Sequence, residues 1–102
     1  MNFYKTSRWR NKRAKILRRD EYLCRECRRY GKSVPAVTVH HVYPLESYSE
    51  LALASRNLIS LCDHCHEQMH DRTTGVLTNK GQSWVDRVAP HLDDHKTPGQ
   101  GT

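Results

Sequence analysis

The stretch Leu61-Cys62-Asp63-His64-Cys65-His66-Glu67-Gln68-Met69-His70 holds two cysteines and three histidines within ten residues. Upstream stand a second cysteine pair, Cys24 and Cys27, and the adjacent pair His40-His41. Two C-x2-C knuckles form a common four-thiolate framework for tetrahedral zinc. The 34 residues between Cys27 and Cys62 exceed the spacing of a short finger, so a sub-fold must sit between the knuckles. His66 and His70 are four apart, and a helix from about Asp63 to Asp71 would put both on one face, a spacing suited to a divalent ion. His40 and His41 are neighbours on a predicted strand and point to opposite faces. One can complete a metal site while the other serves a different role nearby. The pattern therefore predicts two metal sites of different kinds, one closed and structural, the other open and reactive.

Size supports the structural site. At 102 residues with 36% hydrophobic content, the chain reads as one domain whose core is marginal without a staple. Zinc is preferred to disulfides, because the N-terminal MNFYKTSRWRNKR has no apolar signal-peptide core and so gives no sign of an oxidising compartment. Nothing approaches the length of a membrane span.

The net charge of +6 is unevenly placed. Residues 1–32 carry twelve Lys/Arg against Asp20, Glu21 and Glu26, a balance of +9; residues 33–102 carry a balance of −3. A one-sided basic segment with Tyr4, Trp9, Tyr22 and Tyr30 interleaved is the footprint of a phosphate-binding surface. The competing reading is a solvated basic helix that keeps the chain soluble.

Ser7 is the expected N-cap of a basic helix over about 7–20, with Trp9, Ile16 and Leu17 near one face. The first knuckle follows, with Gly31 suited to the turn after it. Val34 to Tyr43 reads as a strand ended by Pro44. A loop with a turn of helix near Glu50–Ala54 leads to Asn57, which opens a second strand, Leu58–Leu61. The second knuckle then runs into the histidine-bearing helix, which Thr73-Thr74-Gly75 breaks. Gln82 to Val88 is a short helix packing Trp84, Val85 and Val88. A domain over 1–88 (with its central unit over about 34–71) would be followed by a disordered tail, 89–102. Trp9 and Trp84 read as core, and His64, His91, His95 and Glu67 as surface residues.

Taken together, His40-His41-x2-Pro44-Leu45, then Asn57-Leu58, then Cys62-x2-Cys65-His66-x3-His70, with Trp9 on a helix before the first knuckle, resemble the HNH endonuclease family in its small phage-type form with a four-cysteine zinc. The resemblance covers roughly residues 4–88. It implies a small α+β fold with a ββα-metal (His-Me finger) core, a four-cysteine zinc knuckle pair and a basic N-terminal helix. It implies that His41 is the general base, that Asn57 positions the base loop, and that His40, His66 and His70 hold a catalytic divalent ion. Cys24, Cys27, Cys62 and Cys65 would hold the structural zinc, and Arg8, Arg10, Lys12, Arg13, Lys15, Arg18 and Arg19 would contact DNA. His40 departs from the family, where an acidic residue often stands.

The implied activity is metal-dependent cleavage of DNA phosphodiester bonds, by nicking or by double-strand breaks. Imidazole ligands favour Mn²⁺, Co²⁺, Ni²⁺ or Zn²⁺, and Mg²⁺ can serve if phosphate and water supply most of its shell. Small phage members commonly stand beside the terminase large subunit and assist DNA packaging, which would place the chain in the cytoplasm of a bacterial host cell. Two rivals remain on the residues alone. One is a non-catalytic zinc-stabilised nucleic-acid-binding module, which would need neither His41 nor Asn57. The other is a redox protein using the cysteine pairs.

Overall fold

The computed structural model describes the backbone of residues 2–96 and the side chains of residues 2–92. A 3-10 turn, Phe3–Lys5, leads into helix α1, Ser7–Arg19. Its N-cap is Thr6 rather than Ser7: the Thr6 hydroxyl accepts from the Trp9 amide at 3.2 Å, and Ser7 is the first helical residue. Helix α2, Arg25–Arg28, carries the first knuckle, and Gly31 ends its turn at φ +77° as expected. Strand β1, Thr38–His41, pairs antiparallel with β2, Leu58–Leu61, in the register Thr38↔Leu61 to His41↔Leu58. Two 3-10 turns, Ser49–Leu51 and Ser55–Asn57, shape the connection. Helix α3, Asp63–Glu67, and helix α4, Asn79–Lys96, complete the chain. The expected ββα core is present, although the first strand is much shorter than Val34–Tyr43.

The two-residue period of the strands sorts the core into two halves. Val39 and Leu58 face α1 and pack with Trp9, Ile16 and Leu17. Val42, Ile59 and Leu61 face the other way and pack with the cysteines, Leu51, Met69, Trp84, Val88 and Leu92. Asp20 ties the halves together, since its buried carboxylate accepts two bonds from Arg19, at 2.8 and 2.9 Å, and the Ser60 amide at 3.1 Å. The turn that follows is strained. Glu21 and Tyr22 have φ of +58° and +60°, at a cost on the order of 1 kcal/mol each. Bonds from Tyr22 N to Leu17 O at 2.8 Å and from Ala36 N to Tyr22 O at 2.9 Å hold it in place.

Two sequence expectations change. The second-knuckle helix stops at Glu67 rather than Asp71, so His66 and His70 do not share a continuous helix. Asp71 accepts the Thr73 and Thr74 amides, each at 2.8 Å, and Thr78 Oγ1 donates to Gln68 O at 2.6 Å. These bonds turn the chain back, with Gly75 at φ +78°, and leave His70 bridged to Leu77. The last helix, in turn, is far longer than Gln82–Val88. It passes through Pro90, where the tail was expected, so residues 89–96 are helical. Proline removes one helical hydrogen bond, but Leu92 is buried in the core and Arg56 donates to His91 O at 3.2 Å. Tertiary packing outweighs the local break. Residues 97–102 of the expected tail, and the His95 side chain, lie outside the described residues. No helix among the described residues is long and apolar enough to cross a membrane.

Candidate active site and metal centre

The sulfur cluster follows from two short helices that each begin at a cysteine. Cys24, Cys27, Cys62 and Cys65 bring their sulfurs within 4.8 Å of one another. Cys27 Sγ lies 3.9 Å from Cys62 Sγ and 3.7 Å from Cys65 Sγ. Tetrahedral zinc with Zn–S bonds of about 2.3 Å requires S···S separations of about 3.8 Å. All four cysteines are free, and no pair is at bonding distance. Burial and the neighbouring thiols push Cys65 well above the ordinary thiol range and raise Cys27 too, while bonds from the other cysteines lower Cys62. A cation that binds here takes the place of thiol protons. The cluster fits a structural zinc.

The second site lies along β1. Its two histidines do point to opposite faces. His40 meets the rings of His66 and His70, with centroids 5.4 and 5.7 Å away. His41 turns toward the N-terminal segment. Both line one cleft of about 790 Å³, together with Tyr4, Glu46, His66 and His70. His40 is buried, and its Nε2 has no hydrogen-bond partner among the described residues. Desolvation, then the neighbouring histidines His66, His70 and His41, push its pKa down to about 3. His66 is lowered by burial and by His70. A neutral imidazole with an idle buried nitrogen, facing two further imidazoles, suits a divalent cation. The three rings converge more loosely than the sulfurs, which are the one group of His, Cys, Asp or Glu donors already clustered tightly among the described residues.

His41 is held on three sides. Its Nε2 lies 3.0 Å from Ala52 O. A carbonyl only accepts, so Nε2 carries the proton and Nδ1 is left as the basic nitrogen. Trp9 stacks on the ring at 5.0 Å with 24° between planes, and Phe3 and Tyr4 approach edge-on at 5.9 and 6.0 Å. Burial lowers the His41 pKa, and the Ala52 bond partly offsets this. Asn57 has no exposed surface. Its Oδ1 accepts the Tyr43 amide at 2.7 Å, and its Nδ2 donates to Tyr43 O and Leu51 O at 3.2 and 3.3 Å. It thus staples the loop whose next carbonyl, Ala52 O, orients His41.

Trp9 was expected as core, and it is buried, but the structure adds the stack on His41. Nothing in the sequence marked the Ala52 carbonyl, because a backbone acceptor has no residue-type signature. His64, His91 and Glu67 are exposed and Trp84 is buried, as expected. The basic helix divides. Arg8, Arg10, Lys15 and Arg18 are exposed. Lys12 instead donates to Ser55 Oγ at 3.0 Å and Arg13 to Val37 O at 3.1 Å. Arg19 is committed to Asp20, Ser55 O and Leu58 O. An arginine whose fork is spent on buried acceptors holds the fold together, whatever else it contacts.

The comparisons agree with this geometry. A family model for HNH endonuclease matches residues 24–72. No curated protein matches the chain. Among solved structures, the chain is similar to the HNH endonuclease of the deep-sea thermophilic bacteriophage GVE2, crystallised with a manganese ion. The two are 38% identical with a TM-score of 0.63, and the match covers 64% of this chain and 71% of the phage protein. On the family-model match over residues 24–72 and the 38% identity to a phage HNH endonuclease covered to 71%, this chain belongs to the HNH endonuclease family.

Proposed function

We propose that the chain is a divalent-metal-dependent endonuclease that hydrolyses phosphodiester bonds in DNA. In this reading His41 is the general base, Asn57 positions it, and His40, His66 and His70 hold the catalytic ion. The observation that supports it most is the split within one dipeptide: His40 offers an unpartnered buried Nε2 beside two imidazoles, while His41 has its Nε2 tied to a carbonyl. The likeness to a phage nuclease solved with manganese supports the same metal class.

Hydrolysis needs an activated water, charge stabilisation at phosphorus and in-line geometry. Nδ1 of His41 takes a proton from water as the water oxygen bonds to phosphorus. The bond from phosphorus to the departing 3′-oxygen breaks, and that oxygen gains a proton from solvent. A divalent ion held by His40, His66 and His70 would supply Lewis-acid stabilisation of the charge that develops at the phosphate. The Trp9 stack and the Ala52 carbonyl keep the imidazole oriented and in one tautomer. Asn57 fixes the loop that presents that carbonyl. Arg8, Arg10, Lys15 and Arg18 contact flanking phosphates, which position the duplex without reading its sequence. The nuclease unit is one domain that includes α4 as far as Leu92. From the family resemblance alone we infer a role beside a terminase large subunit in DNA packaging, in the cytoplasm of the host.

The test is incubation of the purified protein with supercoiled plasmid and Mn²⁺, Ni²⁺, Co²⁺, Mg²⁺ or Zn²⁺, beside His41→Ala and an EDTA control. Nicked or linear product that needs the metal and His41 supports the reading. Cutting that survives His41→Ala removes His41 as the base. No cutting with any metal, with salt-sensitive DNA binding retained, favours a zinc-stabilised binding module.

A further inference from the structure

A second cavity, of about 710 Å³, shares no lining residue with the histidine cleft. Six arginines line it: Arg19 from α1, Arg25, Arg28 and Arg29 from the first knuckle, Arg56 from the Ser55–Asn57 turn and Arg87 from α4. Carboxylates answer three of them. Arg19 pairs with Asp20, Arg28 with Glu21 and Arg29 with Glu26. Of the others, Arg25 feels the attraction of Asp20 without forming an ion pair, Arg56 spends one nitrogen on His91 O, and neither Arg56 nor Arg87 forms an ion pair among the described residues. Two are held in place by Trp84, with the Arg25 guanidinium 5.3 Å and the Arg87 guanidinium 5.6 Å from its ring centroid. Trp84 is itself fixed, donating from Nε1 to Glu26 at 2.8 Å. Gathering unpaired guanidinium groups costs repulsion unless an anion meets them.

With zinc bound, the four thiolates would add negative charge beside the element that carries Arg25 and Arg28, but Arg56 and Arg87 stand on other elements. We propose that this cavity is a second phosphate-binding site, which takes the backbone of duplex DNA away from the scissile phosphate. The proposal rests on the DNA reading above. Preorganised guanidinium forks suit phosphate oxygens, and four chain segments contribute them. The site lengthens the footprint beyond the ββα unit without adding base contacts.

The test measures binding of a short fluorescein-labelled duplex by anisotropy across a salt series, in the full chain carrying His41→Ala. Arg56→Gln with Arg87→Gln should weaken binding and reduce the slope of log K against log [salt] by about two, one per lost phosphate contact. Arg56→Lys with Arg87→Lys should restore the slope. Zinc content and melting confirm that each variant is folded. Unchanged affinity and slope in the folded Gln variant overturn the proposal, as does a Lys variant with the Gln variant's slope. A chain that never cuts plasmid but loses this slope fails as a nuclease and keeps the site.

Discussion

The sulfur cluster and the histidine cleft stand at opposite ends of one short segment, Cys62 to His70, yet they differ in kind. The four sulfurs are already spaced as zinc needs them, and two of the cysteines begin helices that zinc would lock together. The histidines converge with more room, at ring separations above 5 Å, and share their cleft with a separately anchored fourth imidazole. A closed site contributes folding energy. An open one leaves coordination positions for substrate. The same ligand-rich stretch reaches both because the chain turns after Glu67, leaving Cys65 in the core and His70 at the cleft.

The sharpest way to break this contrast is Cys62→Ser. Structural zinc binding is folding energy on the order of 10 kcal/mol, so the variant should lose zinc and its cooperative melting transition. A folded, zinc-free Cys62→Ser protein would refute the four-cysteine assignment. His41→Ala should do the reverse, with plasmid cutting falling by about 10²–10⁴-fold while zinc content and melting stay close to wild type. Asn57→Ala touches both properties. Three bonds to buried backbone go at once, so stability should drop by roughly 2–4 kcal/mol in denaturant melts, with slower cutting. His70→Ala should raise the metal concentration for half-maximal cutting by at least about tenfold without moving the melting temperature much.

Acid gives a finer test. Folding lowers the pKa of His40 to about 3, against an ordinary value of about 6.5. Between those values the unfolded chain binds more protons than the folded one. The stability this histidine contributes is therefore whole above about pH 6.5 and drains as pH falls toward 3, at up to about 1.4 kcal/mol per pH unit. Melting temperature should fall between pH 7 and pH 5. Since burial also lowers His41, cutting should persist below the ordinary imidazole range before acid stops it; cutting that never fails with acid while the protein stays folded would count against His41 as base. The smallest effect belongs to His64→Ala. His64 lies among the candidate ligands but is exposed and, among the described residues, hydrogen-bonds only Gln68, at 3.2 Å, so stability should stay within about 0.5 kcal/mol.

Spacing alone carried the ββα order, the knuckle pair and the separation of His40 from His41, because ligand chemistry and strand alternation are local rules. The helical partnership of His66 with His70 did not survive, although both histidines line the cleft with His40. The Asp71 turn competes locally with the helix, and its strength depends on Thr78, seven residues on. Pro90 misled for the opposite reason. A breaker was legible, but the burial of Leu92 that overrides it was not.

From its sequence, then, the chain declares its candidate ligands, their pairing into two C-x2-C knuckles and a histidine set, and that its first third is basic, since these follow from residue type and short separations. Tertiary structure alone decides the rest. It determines that Arg19 is spent on Asp20 and Leu58 O, that Trp9 lies on His41, and that Ala52 selects its tautomer. It also gathers Arg56 and Arg87 with the arginines of α2. Each of these joins groups distant in the chain or recruits a backbone atom, and no local pattern records which distant groups packing will bring together.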